Sequence, residues 1–214
     1  MTLKKGDFIE IEFIGKIKEN GIVFDVTNEQ DAKKYNLYNS NIKYSPVIIC
    51  IGENNIVKSL DEFLIGKEIK EYTIELSSEK AFGKKDPKLM KIVSSNIFKK
   101  QKITPFPGLQ INFDGVIGTI VTAGSGRVIV DFNHPLAGKD LIYEIKIKRL
   151  VTDTKEKLFS ILKPLSNKEI DIKIENSIAN VELKINEQFQ KPLIDKIKIL
   201  IPEIKDVKFI QKNN

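Results

Sequence analysis

Asp7-Phe8-Ile9-Glu10-Ile11-Glu12-Phe13-Ile14-Gly15-Lys16-Ile17 alternates apolar with polar side chains, passes through Glu19-Asn20-Gly21, and continues as Ile22-Val23-Phe24-Asp25. A period of two sends successive side chains to opposite faces of a strand, so this stretch predicts one buried and one solvated face. Asn-Gly between two such runs marks a hairpin, because both residues accept the positive φ of a tight reversal. The expectation is a strand over 7–17 and a return strand over 22–24, with Glu10 and Glu12 on the wet side.

The neighbouring segments extend the pattern. Residues 46–51 form a second apolar run closed by Gly52. Ile56, Val57, Leu60, Phe63, Leu64 and Ile65 recur at spacings of three and four, which predicts a short helix that Gly66 ends. Residues 71–76 and 141–147 alternate again, whereas 28–45 is polar with irregularly spaced tyrosines and reads as a long loop. This is an α+β arrangement, an antiparallel β-sheet wrapped on a short helix.

Two further texture changes divide the chain. Residues 88–130 consist of short apolar runs joined by Asp114-Gly115 and Gly124-Ser125-Gly126, the turn chemistry of an inserted β-rich domain. Residues 152–214 read as helix, hairpin, helix and strand, a small C-terminal α+β domain. The domain expectation is 1–87 with 131–151, then 88–130, then 152–214.

Charge supports the same division. The chain carries 35 basic and 29 acidic residues, but residues 85–130 alone hold a net +5. Only Arg127 and Arg149 among the 35 are arginine, the side chain suited to bidentate phosphate and base recognition. With scattered lysines and few aromatics in the insert, nucleic acid is a disfavoured partner.

Composition removes most chemistries. One cysteine and one histidine exclude a disulfide framework and a multi-ligand zinc site. Cys50 sits between Ile49 and Ile51 as core filler, and His134 precedes Pro135 as a structural loop residue. No apolar run approaches the roughly 18 residues needed to cross a bilayer, and no signal peptide is evident. The expectation is a soluble, cytoplasmic protein with no cofactor, no metal and no membrane contact.

The stretch from Phe13 to Asp25 resembles the first hairpin of FKBP-type peptidyl-prolyl isomerases: an aromatic, a Gly, then Asn-Gly and Phe-Asp. Residues 77–83, ending Ala81-Phe82-Gly83, are similar to that family's segment before the flap. The most specific match is Val130-Asp131-Phe132-Asn133-His134-Pro135-Leu136-Ala137-Gly138-Lys139-Asp140-Leu141. It resembles the return signature of the SlyD-like branch, in which a chaperone-like insert-in-flap domain interrupts the chain. Residues 152–214 look like the extra domain of long archaeal members.

The resemblance implies an isomerase pocket lined by Phe13, Phe24, Val47, Ile56, Val57, Leu60, Phe82 and Tyr143, with Asp25 as its polar residue. It also implies that the Val57 amide donates to a substrate carbonyl. The missing nucleophile fits this activity, since X-Pro isomerisation needs only relief of amide resonance behind a barrier of about 18–20 kcal/mol. Phe82 replaces a tyrosine, Phe13 lacks a frequent hydroxyl, Ser59 stands for a glycine, and Leu60 stands for a larger aromatic. Weakened catalysis is expected from these departures. In the insert, Met90, Ile97, Phe98 and Phe106 are expected to face a groove for unfolded chains, with Leu89, Ile92 and Leu109 as core. Partners would be X-Pro peptides and unfolded or nascent polypeptides. The alternative is a non-catalytic holdase or ribosome-associated binding protein with a degenerate prolyl pocket.

Overall fold

The structure, a computed structural model, describes residues 2–166 and 169–210; positions 167, 168 and 211–214 of the expected C-terminal domain lie outside it. In chain order the elements begin with β1 (Phe8–Ile17), β2 (Val23–Val26), α1 (Glu29–Lys34), β3 (Val47–Cys50), α2 (Lys58–Leu64) and β4 (Glu71–Leu76). There follow β5 (Met90–Ser94), α3 (Ser95–Lys100), β6 (Gln110–Phe113), β7 (Val116–Ala123) and β8 (Arg127–Asp131). The chain closes with β9 (Leu141–Leu150), α4 (Thr154–Leu162), β10 (Ile172–Glu175), β11 (Ile178–Glu182), α5 (Glu187–Leu200) and β12 (Asp206–Ile210). Two units result. One comprises the described residues of Met1–Lys16, Gly21–Ile74 and Ile142–Asn214, and the other comprises Ile17–Asn20 and Glu75–Leu141.

In the first unit the strand order is β2-β1-β9-β4, with β3 also pairing β1. Since β9 takes one edge of β1, β2 and β3 share the other in succession: Gly15 pairs Asp25, and Ile11 pairs Val47. The chain between β2 and β3, expected to be irregular, contains α1. Asn28 caps it by accepting from the Gln30 N–H at 2.8 Å, and Glu29 and Lys33 pair along its surface. Helical periodicity was invisible there because six residues carry only one buried side chain, Ala32. The irregular aromatics are a satellite core: Tyr35, Leu37 and Tyr44 pack with Val23, Val26 and Ala32.

The segment after Val151 has its own three-stranded sheet, ordered β10-β11-β12. Asn176 and Ser177, at φ 50° and 64°, turn β10 into β11, and α5 supplies the crossover that the parallel β11–β12 pairing requires. Its core is shared with the first sheet. Leu158, Leu162, Ile197 and Ile201 are buried in one cluster with Phe8, Cys50 and the partly buried Ile48. Arg149 stitches the surface above, donating through Nε to Glu10 and through both terminal nitrogens to Glu156.

In the second unit, β5, β8, β7 and β6 form an antiparallel sheet in that order. Asp114 and Gly115, at φ 49° and 92°, make the β6–β7 turn. The two chain crossings into and out of β5–β8 are tied together. Lys85 Nζ lies 2.8 Å from Asp131, the Asn133 side chain donates to Asp131 and to the Asp86 carbonyl, and the Phe132 N–H donates to the Leu89 carbonyl. Burial works to raise the Asp131 pKa, but hydrogen bonds from Lys85 and Asn133 outweigh it and hold the carboxyl below its usual range.

The sequence reading of the insert core needs correction. Phe98, expected at the groove, is 1% exposed and anchors a cluster with Ile120, Val128 and Val130. Ile92, expected in the core, is 67% exposed, and Leu89 is 40% exposed. Alternation explains the exchange: Val93, not Ile92, falls on the face that α3 covers, and α3 turns Phe98 onto that face. Phe98→Ala should therefore cost about 3–5 kcal/mol in the insert. Hydrogen exchange should show selective deprotection of β5–β8 with the first unit unaffected.

Candidate active site

The register of β1 and β2 contains an irregularity that shapes the site. Gly15 pairs Asp25, but Lys16 pairs Val23, so Phe24 is an extra residue in β2. A bulge of this kind breaks strict alternation and re-aims a side chain. Here it lets the consecutive Phe24 and Asp25 serve one face. Gly15 makes that possible, because a Cβ there would lie 2.7 Å from Phe24 Cζ and 3.2 Å from Tyr143 Cε1. The Phe24 ring occupies the space where residue 15 would otherwise carry a side chain.

Around this point the structure gathers three of the expected aromatics. Tyr143 on β9 meets Phe24 edge-on, with centroids 5.8 Å apart at 84°, and Phe13 at 6.0 Å and 59°. Val47 pairs Ile11, two residues before Phe13, and so shares Phe13's face of the sheet. Phe13 is fixed locally as well: its N–H donates to the Thr27 hydroxyl at 2.9 Å, and Thr27 is buried. Sequence reasoning overlooked Thr27, whose only signal is its place just past the Phe-Asp pair.

Ile56, Val57 and Leu60 lie at the head of α2. Leu60 is buried, while Ile56 and Val57 are partly exposed. Val57 is the N-cap, where helix geometry gives its N–H no intrahelical acceptor. The loop before it is organised by Asp61, a buried carboxylate absent from the sequence reading. Asp61 accepts from the Gly52 N–H at 2.9 Å and the Asn54 N–H at 2.7 Å. Phe82 belongs to the second unit, where its ring stacks on His134 at 4.3 Å and 2°. His134 Nδ1 accepts the Leu136 N–H, which places its proton on Nε2 when the ring is neutral.

Electrostatics separate the site from ordinary core. Asp25 keeps part of its surface in solvent, yet burial against the apolar wall raises its pKa, with the Val26 amide opposing. Burial, reinforced by the Asp25 charge, pushes the Tyr143 phenol up to about 12, so its hydroxyl stays neutral and able to donate. Cys50 is likewise pushed up to about 12 by burial and offers no thiolate. A separate cleft of about 350 Å³ is lined by Glu12, Asp31, Glu71, Thr73, Glu144 and Lys146 and contains only Phe13 of the expected set. Its carboxylates Glu12, Glu71 and Glu144 pair with Lys148, Lys146 and Lys16, which makes it a charged surface groove unsuited to a prolyl ring. Among the described residues, no three His, Cys, Asp or Glu side chains cluster as a metal would require. No described helix is long and apolar enough to cross a membrane.

In the insert, Met90 and Ile97 fall on different sides of the sheet. Met90 pairs Asp131 and alternates away from the buried Val130, whereas Ile97 lies on α3, which covers the core. Ile97 and Phe106 are 44% and 55% exposed.

Two stability measurements test this geometry. Gly15→Ala should cost about 1–3 kcal/mol in urea unfolding, the usual range for overpacking, and adding Phe24→Leu should recover part of that loss. Asp25→Asn should raise the melting temperature at pH 7, because an acid with a raised native pKa destabilises the folded state once ionised. The gain should be absent below the unfolded pKa of about 3.8, and grow to its full size above the raised native value. A gain that persisted at pH 3 would detach it from the Asp25 charge.

Comparison with known proteins bears on the family of the chain. Residues 91–136 match the family model described as FKBP26, IF domain. The short-type peptidyl-prolyl cis-trans isomerase of Methanocaldococcus jannaschii is 30% identical over 147 residues, covering 68% of this chain and 92% of that protein. The FKBP-type isomerase SlyD of Helicobacter pylori is 27% identical over 136 residues, 61% of this chain and 72% of that one. A probable FKBP-type 16 kDa isomerase of Pseudomonas fluorescens is 28% identical over 109 residues, 48% and 71% respectively. With a bulged Phe-Asp pair facing a tyrosine across a glycine, and a relative matched over nearly its whole length, the chain belongs to the FKBP-type family of peptidyl-prolyl cis-trans isomerases.

Proposed function

We propose that this isomerase assists protein folding: the insert captures unfolded chains, and the Phe13–Phe24–Tyr143 site with Asp25 isomerises their X-Pro bonds. The observation that carries the reading is the Gly15 clearance, which keeps an aromatic wall open on the face shared by Asp25. A prolyl ring on that wall leaves water. The planar amide, more charge-separated than the twisted one, is then the form that loses more solvation. Tyr143 and the Val57 N–H are the polar groups placed to hold the substrate carbonyls, and Val47, Ile56 and Leu60 complete the apolar lining. Asp25 acts as a fixed carboxylate beside the twisting bond and forms no covalent intermediate.

Capture is supported by exposed apolar side chains on a module too small to bury them. Ile92, Ile97, Phe106, Val116 and Ile117 are all more than two-fifths exposed. Tethering such a surface to the site raises local substrate concentration to roughly millimolar for a short connection, with no new contact at the reacting bond. A surface of this size would present itself to nascent chains as readily as to released ones.

Isomerisation of a proline tetrapeptide tests the site. Asp25→Ala and Tyr143→Ala should each lower kcat/KM by roughly 2- to 12-fold, the equivalent of one polar contact of about 0.5–1.5 kcal/mol. Phe82→Tyr should hold or raise it. No change in either alanine variant would remove the site assignment, and no activity at all in the parent chain would favour a pure holdase. For capture, kcat/KM on a proline-limited unfolded protein is divided by that on the tetrapeptide. That ratio should fall in Phe106→Ser and collapse when residues 88–130 are replaced by a short Gly/Ser loop; an unchanged ratio in both would refute capture by the insert.

A further inference from the structure

The insert sheet has a second face that its own helix does not cover. Val93, Val128, Val130 and Ile120 point to the Phe98 core. By alternation, the pair Ile92–Ile129 points away from it, as does the pair Ser94–Arg127. Ile117, opposite Asn112 and next to the buried Gly118, joins them. Ile92 and Ile117 are 67% and 61% exposed. The face is therefore aliphatic with an arginine on it, and it is bounded by β5, whose outer edge pairs with no strand of the sheet.

Most cations of this module have no counter-charge among the described residues. Lys85 pairs with Asp131 at the crossings, and among the described residues that is the sole ion pair made from within 85–130. Lys88, Lys91, Lys99, Lys100, Lys102 and Arg127 are exposed and lack an acidic partner. Of the two acids in the segment, Asp86 caps its own turn and Asp114 sits in the β6–β7 reversal. Outside this segment basic and acidic residues are nearly balanced, and several pair directly, as in Glu71–Lys146, Glu12–Lys148 and Glu10–Arg149–Glu156. The segment 85–130 thus carries a net +5 with six exposed cations that have no acidic partner among the described residues, and it places a positive field around an apolar face. Within a Debye length of about 8–10 Å such a field attracts carboxylates and repels ammonium groups.

We propose that the insert selects acidic-hydrophobic client segments, extended stretches in which Asp or Glu adjoins aliphatic or aromatic residues. This rests on the capture reading above and names its substrate class. The aliphatic residues of the client lie on Ile92, Ile117 and Ile129, its backbone has the free edge of β5 available, and its carboxylates meet Arg127 on that face, while the lysines of β5 and α3 add to the field from around the module. A nucleic acid would share the charge but not the surface. Single strands are held by stacking on aromatic side chains, and the residues exposed on this face are aliphatic.

The test uses the full chain and three fluorescent probes at 20, 150 and 500 mM salt. Two are proline-free peptides with one shared apolar core, flanked in one by Glu and in the other by Lys; the third is a single-stranded oligonucleotide. The Glu peptide should bind at least about tenfold tighter than the Lys peptide at 20 mM salt, and the difference should shrink toward unity at 500 mM. The combined change Arg127→Glu, Lys91→Glu, Lys99→Glu and Lys100→Glu should invert the order, and the same four positions changed to Gln should abolish the preference. Far-UV circular dichroism confirms that each variant is folded, and the Gln set preserves the test if the Glu set is not. Equal affinity for the two peptides, or tighter binding of the Lys peptide, overturns the selectivity while leaving capture intact. Failure of both peptides at every salt concentration overturns capture itself. Tighter binding of the oligonucleotide than of the Glu peptide overturns the proposal in favour of a nucleic-acid surface.

Discussion

The clearance above Gly15 governs the arrangement of the first unit. Phe24 lies across the backbone at residue 15, closer than any Cβ would permit, and meets Tyr143 edge-on from there. The bulge that puts Phe24 in that place also turns Asp25 to the same face. An unbulged β2 would present one of the pair and direct the other away. From this contact follow the position of the carboxylate, the burial that raises the Tyr143 phenol, and an apolar wall that backbone geometry holds in place.

The site is stabilised by groups that do no chemistry. Thr27 fixes Phe13 at its own amide, and Asp61 gathers the Gly52 and Asn54 amides so that Val57 can begin α2. Buried carboxylates that accept two backbone hydrogen bonds are well satisfied and strongly position-specific. Asp25 shows the opposite case. Its carboxyl is partly desolvated, with the Val26 amide opposing, so its pKa is raised and its ionised form carries an electrostatic cost.

The second unit divides its apolar residues between two tasks. A few side chains around Phe98 hold four strands and a helix together, and the remainder stay exposed beside unpaired cations. The chain crossings into and out of that sheet are held together by Lys85, Asp131 and Asn133.

Periodicity in the sequence determined β1, β4, β9 and the hairpin of β10 and β11, because an alternating run has one low-energy face to bury, and a continuous apolar run closed by Gly52 marked β3. The family was legible as well, since the twelve residues from Val130 to Leu141 and the Phe24-Asp25 pair occur at fixed spacing. Local pattern did not reveal α1, whose single buried residue leaves no helical period, nor the exchange of Ile92 for Phe98 in the insert core. Which face of an edge strand is covered depends on where a neighbouring helix lands, and that is a contact between distant residues. Only the tertiary structure decided the Phe24 bulge, the Asp61 brace and which face of the insert sheet stays uncovered. Each depends on how the backbone turns and which element lands on which face, and a pattern of apolar and polar residues does not encode that.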